Sequence, residues 1–211
     1  MPTAILFDWD NTLADTRAAV VDAMEHILKK YGKEPWAVVK EKYRDPKKSV
    51  KENFPNFFQD KADAAYSDYI EYYEQNEYAK VKPKERTSEF LQLCNDEKID
   101  IFITSNKDLK LLSTEVSFCF PNIKFVRVLG VGNMSCTKPS PEVVFDALRG
   151  TNHPVDKNVW LIGDSRHDLE CAISAGIQPI IVGEEKIGEG KAILFDNFAE
   201  LIAYTKKLLN K

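Results

Sequence analysis

The stretch ILFDWDNTLADT, residues 5 to 16, places Asp8 and Asp10 directly after a short run of apolar residues. The run predicts a buried strand, and a buried carboxylate is unfavourable unless a partner or a function compensates for it. Side chains two residues apart in extended backbone point to the same side, so we expect Asp10 to lie beside Asp8. The stretch therefore predicts a strand that delivers two acids to one place.

The composition of the chain limits the kinds of protein it can be. Its 211 residues are enough for one large domain or for a core with a smaller insert. With 44% hydrophobic and 29% charged residues it has the balance of a globular protein. The net charge of −4 argues against a nucleic-acid partner. No apolar run approaches the roughly 20 residues of a membrane span, and the first residues lack the pattern of a leader peptide, so we expect a cytoplasmic protein without a membrane partner.

The cysteines and histidines of the chain are scattered and form no metal-binding pattern. Close pairs such as CxxC are absent from the sequence, so neither a zinc site nor a disulfide framework is predicted. We expect reduced and mostly buried thiols at Cys94, Cys119, Cys136 and Cys171.

Five apolar segments predict the strands of a parallel sheet. Most of them show no alternation of polar and apolar residues, and helical patterns lie between most of them, which is typical of an α/β sheet covered on both faces. The segment at 124–130 alternates more and is expected nearer an edge. The strand segments are residues 3–8, 99–105, 124–130, 158–164 and 178–183, and the helical patterns are 140–148, 165–175 and 197–209.

The segment from 16 to 83 holds almost no strand signal and is predicted to be an inserted α-helical cap domain. Residues 1–15 and 84–211 then form the α/β core, with hinges near 14–16 and 82–85. Residues 29–51 carry an excess of Lys and Arg, and residues 60–77 an excess of Asp and Glu. The two parts could pair with each other on a solvated surface, which we favour, or the basic part could attract an anionic substrate. The helical spacing runs through Val20, Met24, Ile27 and Leu28, and through Ala65, Tyr69, Tyr72 and Tyr73.

Chemically active side chains follow four of the predicted strands. Ligands of open parallel sheets collect at the carboxyl ends of the strands, so these side chains are candidates for one site. Any one of them could instead be a helix cap or a turn residue, and for Ser165 or Asp168 alone that explanation is preferred. The set as a whole is much harder to explain in this way. It consists of Asp8 and Asp10, then Thr104, Ser105 and Asn106, then Lys138, and finally Asp164 and Asp168.

The set predicts phosphate chemistry with a divalent cation. Carboxylates that share a pocket ionise together only when a cation joins them, and oxygen ligands favour Mg²⁺. One carboxylate can act as a covalent nucleophile, and Asp10 can move the proton of the leaving oxygen and of the attacking water. Ser105, Asn106 and Lys138 can hold the phosphoryl oxygens.

Four motifs in order, DWDNTLADT, ITSNKD, TKPSPEVV and GDSRHDLECAISAG, resemble those of the haloacid dehalogenase superfamily. The resemblance spans residues 1 to about 183 and is greatest for the phosphoglycolate-phosphatase-like branch, whose helical cap lies between the first and second motifs. It implies a Rossmann-like core in which Asp8 is the nucleophile and Asp10 the general acid/base that also gives its backbone carbonyl to Mg²⁺. It also implies that Thr12 positions the loop, that Ser105 and Asn106 bind phosphate, and that Lys138 stabilises the nucleophile and the transferring group. Asp164 would ligate Mg²⁺ directly, and Asp168 would lie in or next to the metal shell.

Three positions depart from the family pattern or leave it open. Trp9 and Asn11 stand where the family more often has a small or phenylalanine-like residue and then glycine, and we expect Trp9 to pack away from the acids. Both Thr104 and Ser105 offer a hydroxyl at the second motif. The Asn-Lys pair that follows favours Ser105, with Thr104 as the fallback.

Several other functions share parts of this pattern. Asp10 argues against carbon–halogen hydrolysis, because the dehalogenase branch lacks an acid there. A phosphonate hydrolase would need a cap lysine for a Schiff base, and Lys40, Lys42 and Lys47 are candidates that nothing singles out. A sugar-phosphate mutase would share every core residue and is the main alternative.

Two further alternatives lie outside phosphate-ester hydrolysis. A signalling receiver domain also forms an aspartyl phosphate, but its phosphoacceptor follows the third strand, where this chain has no acid. An inactive binding protein is disfavoured because every expected catalytic residue type is present. The sequence therefore predicts a Mg²⁺-dependent phosphatase that acts on a small phosphorylated metabolite through an aspartyl-phosphate intermediate.

Overall fold

The computed structural model describes residues 1–45, 48–183 and 187–209. Its strands are β1 (Ala4–Phe7), β2 (Ala14–Asp15), β3 (Lys82–Pro83), β4 (Asp100–Asp108), β5 (Arg127–Val131), β6 (Val159–Gly163), β7 (Gln178–Val182) and β8 (Ile193–Phe195). Six of these strands form one parallel sheet in the order β5-β4-β1-β6-β7-β8, and β2 and β3 form a short antiparallel ribbon.

Helices cover both faces of the large sheet, which explains why its central strands are apolar on both sides. Ile5 and Phe7 of β1 face one apolar cluster, and Ala4 and Leu6 face the other. The first cluster takes in α5 (Thr87–Asp96), α6 (Leu109–Cys119) and α9 (Phe198–Leu209), and the second takes in α7 (Glu142–Leu148) and α8 (Arg166–Ala175). The core is therefore a three-layer α/β/α arrangement, as the sequence predicts.

The register of the central strands sets the position of the site. Phe7 of β1 is level with Ile103 of β4 and with Ile162 of β6. β1 ends at Phe7 and β6 one residue beyond this level, at Gly163, whereas β4 continues to Asp108 past a shift in its register with β5 after Thr104. The residues that follow this level, Asp8 and Thr104 among them, therefore meet at one edge of the sheet.

A four-helix segment stands between β2 and β3. Its helices are α1 (Arg17–Lys30), α2 (Trp36–Tyr43), α3 (Val50–Phe58) and α4 (Ala62–Asn76), and two short 3-10 helices follow α3 and α4. Aromatic rings fill its interior, with Phe54 in contact with Phe58 and Tyr69. The β2–β3 ribbon brings the two connections together, and Lys84 donates its amide to the carbonyl of Leu13 at 2.9 Å. We call residues 16–83 the cap and propose this ribbon as its boundary with the core.

The predicted α/β class and the helical segment between the first two motifs are found in the structure. All five predicted strands are present, and β5 lies at an edge as expected. β8, at the opposite edge, is absent from the prediction. Cys94 and Cys171 are buried while Cys119 is half-buried and Cys136 exposed, and none of the four forms a disulfide. Lys47, one of the candidate cap lysines, lies outside the described residues. Within the described ranges, no helix has the length and apolar character that crossing a membrane requires.

Candidate active site

The chain turns sharply after β1 and brings Asp8 and Asp10 to the same cavity. The amide of Asp8 donates to the carbonyl of Ile162 at 2.9 Å and so extends the sheet by one residue. The amides of the next turn converge on the carbonyl of Trp9 at 3.1 to 3.3 Å, and Asn11 has left-handed backbone with a φ of 62°. Asparagine tolerates this conformation better than most residues. The turn that closes on Trp9 follows the two acids, and both acids line the same cavity.

Lys138 lies between two buried carboxylates. Its Nζ is 2.6 Å from Oδ1 of Asp8 and 2.6 Å from Oδ1 of Asp168, and its side chain is buried. Burial alone would lower the pKa of Lys138, but the two carboxylates hold it above its ordinary value. Burial raises the pKa of Asp8 to about 8 against the attraction of Lys138, and repulsion from Asp168 and Asp164 acts in the same direction. The pocket thus holds more negative charge than one lysine balances.

Asp168 caps the first turn of helix α8 and at the same time holds Lys138. Its Oδ2 accepts from the amide of Ser165 at 3.1 Å and from the hydroxyl of Ser165 at 2.5 Å. Gly163 packs against the side chain of Asp168. A Cβ atom at Gly163 would be 2.2 Å from Cγ of Asp168, which is too close for the two side chains to coexist in these positions. The helix-cap role considered for Asp168 and a role in the site are therefore both fulfilled by one side chain.

Asp8, Asp164 and Asp168 form the group that can hold a metal ion. Each offers a carboxylate oxygen, and these oxygens lie within 4.8 Å of one another. Burial and the neighbouring Asp168 raise the pKa of Asp164 to about 6. Thr12 ties two of the acids together, since its hydroxyl is 3.0 Å from Asp8 Oδ2 and 3.4 Å from Asp164 Oδ1. Crowded carboxylates whose ionisation is hindered are the donor set that a hard divalent cation stabilises, so these residues fit Mg²⁺.

The surroundings of Thr104 and Ser105 on β4 distinguish the two hydroxyls that the sequence leaves open. Ser105 lines the cavity, and its Oγ accepts from the amide of Lys107 at 3.2 Å. The hydroxyl of Thr104 is fully buried and has no hydrogen-bond partner within the described part of the chain. Asn106 also lines the cavity. Its side-chain Nδ2 donates to the carbonyl of Lys138, and its Oδ1 accepts from the amide of Lys138, each at 2.8 Å. Asn106 therefore fixes the loop that carries Lys138.

Asp10 is held by two donors that come from different parts of the chain. Its Oδ1 accepts from the hydroxyl of Thr16 at 2.5 Å and from Nζ of Lys107 at 2.9 Å. Burial acts to raise the pKa of Asp10, but the charge of Lys107 and both hydrogen bonds outweigh it and keep the pKa below its usual value. The acid expected to move protons is therefore ionised in this arrangement.

Lys107 and its second partner, Glu115, were not foreseen from the sequence. Lys107 Nζ is also 2.9 Å from Oε1 of Glu115, which is fully buried. Glu115 accepts further hydrogen bonds of 2.5 Å from the hydroxyl of Tyr73 and from the indole of Trp9. Trp9 packs on Phe120, as its expected packing role requires, but its hydrogen bond was not expected. Two signals were present in the sequence, namely a lysine within the second motif and an acid among the apolar positions of α6.

A cavity of about 640 Å³ lies between the strand ends and the cap. The core side carries the acids and Lys138, whereas the cap side carries cations and apolar residues. Among the described residues that line the cavity, the cap contributes no carboxylate, and its cations are Arg17, Lys40, Arg44, Lys48 and Lys51. Of these, Lys51 lies over the ring of Tyr66, 5.2 Å from its centre. Lys40, Arg44 and Lys48 have no ion-pair partner in the described ranges.

The expected pairing of basic and acidic cap segments occurs only in part. Lys30 pairs with Asp68 at 2.7 Å across the two segments, and Lys42 pairs with Glu34 at 3.1 Å within the basic one. The lysines and arginine that face the cavity take no part in this pairing. The alternative that the basic segment attracts an anionic substrate therefore gains a structural basis.

Comparisons with known proteins agree with this geometry. The profile of the haloacid dehalogenase-like hydrolases matches residues 5–182. The chain is 27% identical over 198 residues to phosphoglycolate phosphatase of Rhodobacter capsulatus, covering 87% of this chain and 85% of that one. It is 23% identical over 220 residues to phosphoglycolate phosphatase of Pseudomonas fluorescens, covering 96% and 79%. The structure of CbbY from Rhodobacter sphaeroides in complex with phosphate superposes with a TM-score of 0.79 at 21% identity, covering 95% and 96%.

A profile match over most of the chain establishes the family. The protein belongs to the haloacid dehalogenase-like hydrolases, as the four motifs indicate. At 21% identity the solved structure shows the fold alone. It carries no argument about substrate at this level of identity.

Proposed function

We propose that the protein is a Mg²⁺-dependent phosphatase that hydrolyses a small phosphomonoester through an aspartyl phosphate on Asp8. The observation that carries the proposal is the grouping of Asp8, Lys138 and the metal-compatible acids beneath a cavity that Asp10 also lines. Hydrolysis of phosphate monoesters is among the slowest uncatalysed reactions, so it requires charge that is already in place and a site shielded from bulk water. The buried acids and the cap provide these two conditions.

In the first step, a carboxylate oxygen of Asp8 forms a bond to phosphorus while the bond from phosphorus to the ester oxygen breaks. Asp10 donates a proton to the departing alcohol. Asp10 is ionised in the resting site, and the arrival of a phosphate dianion would raise its pKa and favour the protonated form. Lys138 and the hydroxyl of Ser105 stabilise the transferring group.

In the second step, Asp10 takes a proton from a water molecule that attacks the phosphorus. The bond between phosphorus and Asp8 breaks, and inorganic phosphate leaves. Thr12 and Lys138 keep the Asp8 carboxylate oriented through both steps, since each already binds one of its oxygens. When bound by Asp8, the Asp10 carbonyl and Asp164, Mg²⁺ would offset the negative charge of the acids and of the phosphoryl oxygens. Asp168, whose oxygens are held by Ser165 and Lys138, would lie next to this shell.

The cations of the cap support a substrate with a second anionic group. Two of the metal-compatible acids, Asp8 and Asp164, belong to the core side of the cavity lining, and the cap cations without an ion-pair partner in the described ranges belong to its cap side. A phosphomonoester held at the acids would place the rest of the molecule against Lys40 and Arg44. Phosphoglycolate, the substrate named for two of the relatives, has a carboxylate beside its phosphate. We therefore propose a small metabolite that carries another phosphate or a carboxylate.

Replacing the nucleophile tests the proposed function directly. Asp8→Asn keeps the shape of the side chain but cannot form the aspartyl phosphate, so turnover of p-nitrophenyl phosphate at saturating Mg²⁺ should fall on the order of 10⁴-fold or more. Release of inorganic phosphate measures the rate. The matched control is Asp63→Asn, the same change at an exposed position of α4, which should keep full activity. Comparable rates for Asp8→Asn and the wild type would refute the assignment.

A further inference from the structure

A buried chain of contacts links the cap to the proton-transfer acid. It begins at Tyr73 on α4, whose hydroxyl donates to Glu115 at 2.5 Å. Glu115 pairs with Lys107 at 2.9 Å, and Lys107 pairs with Asp10 at 2.9 Å. Trp9, next to Asp10 in sequence, gives Glu115 its other hydrogen bond. Tyr73, Glu115 and Lys107 are all buried, so these contacts are screened little by water.

Lys107 is shared between two carboxylates that compete for it, and its Nζ also donates to the Tyr73 hydroxyl at 3.4 Å. Asp10 has a second donor in Thr16, and Glu115 has two further donors in Tyr73 and Trp9. Each donor to Glu115 satisfies part of its negative charge and so weakens its attraction for Lys107. Loss of the Tyr73 hydroxyl would leave Glu115 short of one partner and draw Lys107 towards it. Asp10 would then lose one of its two donors and keep the contact to Thr16.

Other contacts on the same face show that α4 is seated on the core at this point. Tyr66 donates to Asp108 at 3.3 Å, and Lys110 pairs with Glu74 at 2.6 Å. Tyr73 also presents the face of its ring to Lys107, 5.1 Å from its centre. The cap therefore contributes a polar atom to the surroundings of the proton-transfer acid, in addition to covering the cavity.

We propose that Tyr73, Glu115 and Lys107 are positioning residues that hold Asp10 in place for proton transfer when the cap lies on the core. The inference rests on the proposed phosphatase function of the same site. It makes the cap part of the catalytic arrangement through a cap tyrosine that need not touch the substrate. The acid is then fully oriented only when the cavity is covered.

Substrates with different leaving groups distinguish positioning of Asp10 from a merely structural role of Tyr73, because only positioning makes the loss of activity depend on the leaving group. An alkyl phosphate needs a proton on its departing oxygen, whereas p-nitrophenyl phosphate has a leaving group that departs readily without one. Tyr73→Phe should lower kcat/KM for an alkyl phosphate about tenfold, which is part of the 10²- to 10⁴-fold that a positioned acid contributes. It should lower kcat/KM for p-nitrophenyl phosphate less than about twofold. The ratio kcat/KM is used because it reports the step in which the ester bond breaks.

Two controls separate positioning of Asp10 from general damage. Tyr72→Phe makes the same change one residue earlier on α4, where the ring stacks on His26 away from the cavity, and should leave both substrates unaffected. In an Asp10→Asn background, Tyr73→Phe should have no additional effect, because the group through which it acts is gone. An equal loss for all leaving groups, or a further loss in the Asp10→Asn background, would overturn the proposal.

A crystal structure of Tyr73→Phe without substrate gives a readout that does not depend on activity. The expected result is a Lys107 ammonium that has moved towards Glu115 and an Asp10 carboxylate turned away from it. An unchanged pair of Asp10 and Lys107 would overturn the positioning role. Failure of the wild type to hydrolyse any phosphomonoester would instead count against the proposed function, and this structural result would still decide the role of Tyr73.

Discussion

Two adjacent hydroxyls on β4 differ in what surrounds them, and this difference predicts different effects of their removal. Ser105 faces the cavity, so Ser105→Ala should lower kcat on the order of 10²-fold, the usual effect of removing one donor to a developing charge. Thr104 has a buried hydroxyl without a partner, and valine has nearly the same shape. Thr104→Val should therefore keep the activity and leave the free energy of unfolding equal or slightly higher. Steady-state rates and urea unfolding of both variants decide the assignment, and the reverse pattern would transfer the phosphate contact to Thr104.

The residue types of the site could be predicted because they follow strands, and the sheet brings strand ends together whatever the details of packing. Asp8 and Asp164 were found in this way. The partners of Asp10 were not, because Lys107 is 97 positions away in the sequence and its contact depends on how the cap and α6 pack. A local pattern contains no information about such a contact. The two signals in the sequence, a lysine within the second motif and Glu115 among apolar positions of α6, indicated a buried ion pair without identifying Asp10 as a partner.

At the scale of the element, helix α8 has a glycine near each end, Gly163 before its first turn and Gly176 directly after its last residue, and the two have different tasks. A Cβ atom at Gly163 would overlap the side chain of Asp168, whereas at Gly176, where φ is 78°, it would meet nothing within 4 Å. Gly163→Ala should displace Asp168 and with it Lys138, so that stability falls by about 1–3 kcal/mol and activity is largely lost. Gly176→Ala should cost about 1–2 kcal/mol through its left-handed backbone and leave kcat unchanged.

Urea unfolding and steady-state kinetics of these two glycine variants separate the effects. The comparison is matched because both changes add one methyl group at an end of the same helix. A Gly163→Ala protein with normal kcat would show that the position of Asp168 is unimportant for the reaction.

The elements themselves were predictable to different degrees. Central strands such as β1 and β6 are continuous apolar runs because helices cover both faces, and such runs are visible in the sequence. β8 has three half-buried residues at the edge of the sheet, so it pairs on one side only and has too little apolar length to be recognised. The turn that follows the two acids was also missed, since it depends on hydrogen bonds to a single carbonyl, that of Trp9.

At the scale of the whole molecule, Mg²⁺ should stabilise the fold because it relieves repulsion within the core. At about 100 times its Kd, a ligand that binds only the folded state adds about 2.7 kcal/mol to the free energy of unfolding. For a chain of this size this corresponds to several degrees in Tm. Asp164→Asn should abolish the shift, and without Mg²⁺ it should melt higher than the wild type, because one of three crowded carboxylates is gone.

Calorimetry with Mg²⁺ and with EDTA tests the metal independently of activity. Asp63→Asn, at an exposed position of α4, serves as the control and should show the full shift. An identical Tm in Mg²⁺ and EDTA for the wild type would argue against the metal site.

The cap side of the cavity carries cations and the core side carries the acids, and this distribution of charge predicts which substrates the protein prefers. The protein has a net charge of −4, yet Lys40 and Arg44 face the cavity without an ion-pair partner in the described ranges. Replacing both by glutamine should raise KM for 2-phosphoglycolate about three- to tenfold, as expected for two exposed charge contacts, and should leave KM for ethyl phosphate unchanged. The preference of the wild type for 2-phosphoglycolate, the compound with the additional carboxylate, should also shrink as ionic strength rises. Lys42→Gln is the matched control, because Lys42 lies on the same helix but pairs with Glu34. An equal rise in KM for both substrates would mean that these cations support the cap itself, and the requirement for a second anionic group would then be wrong.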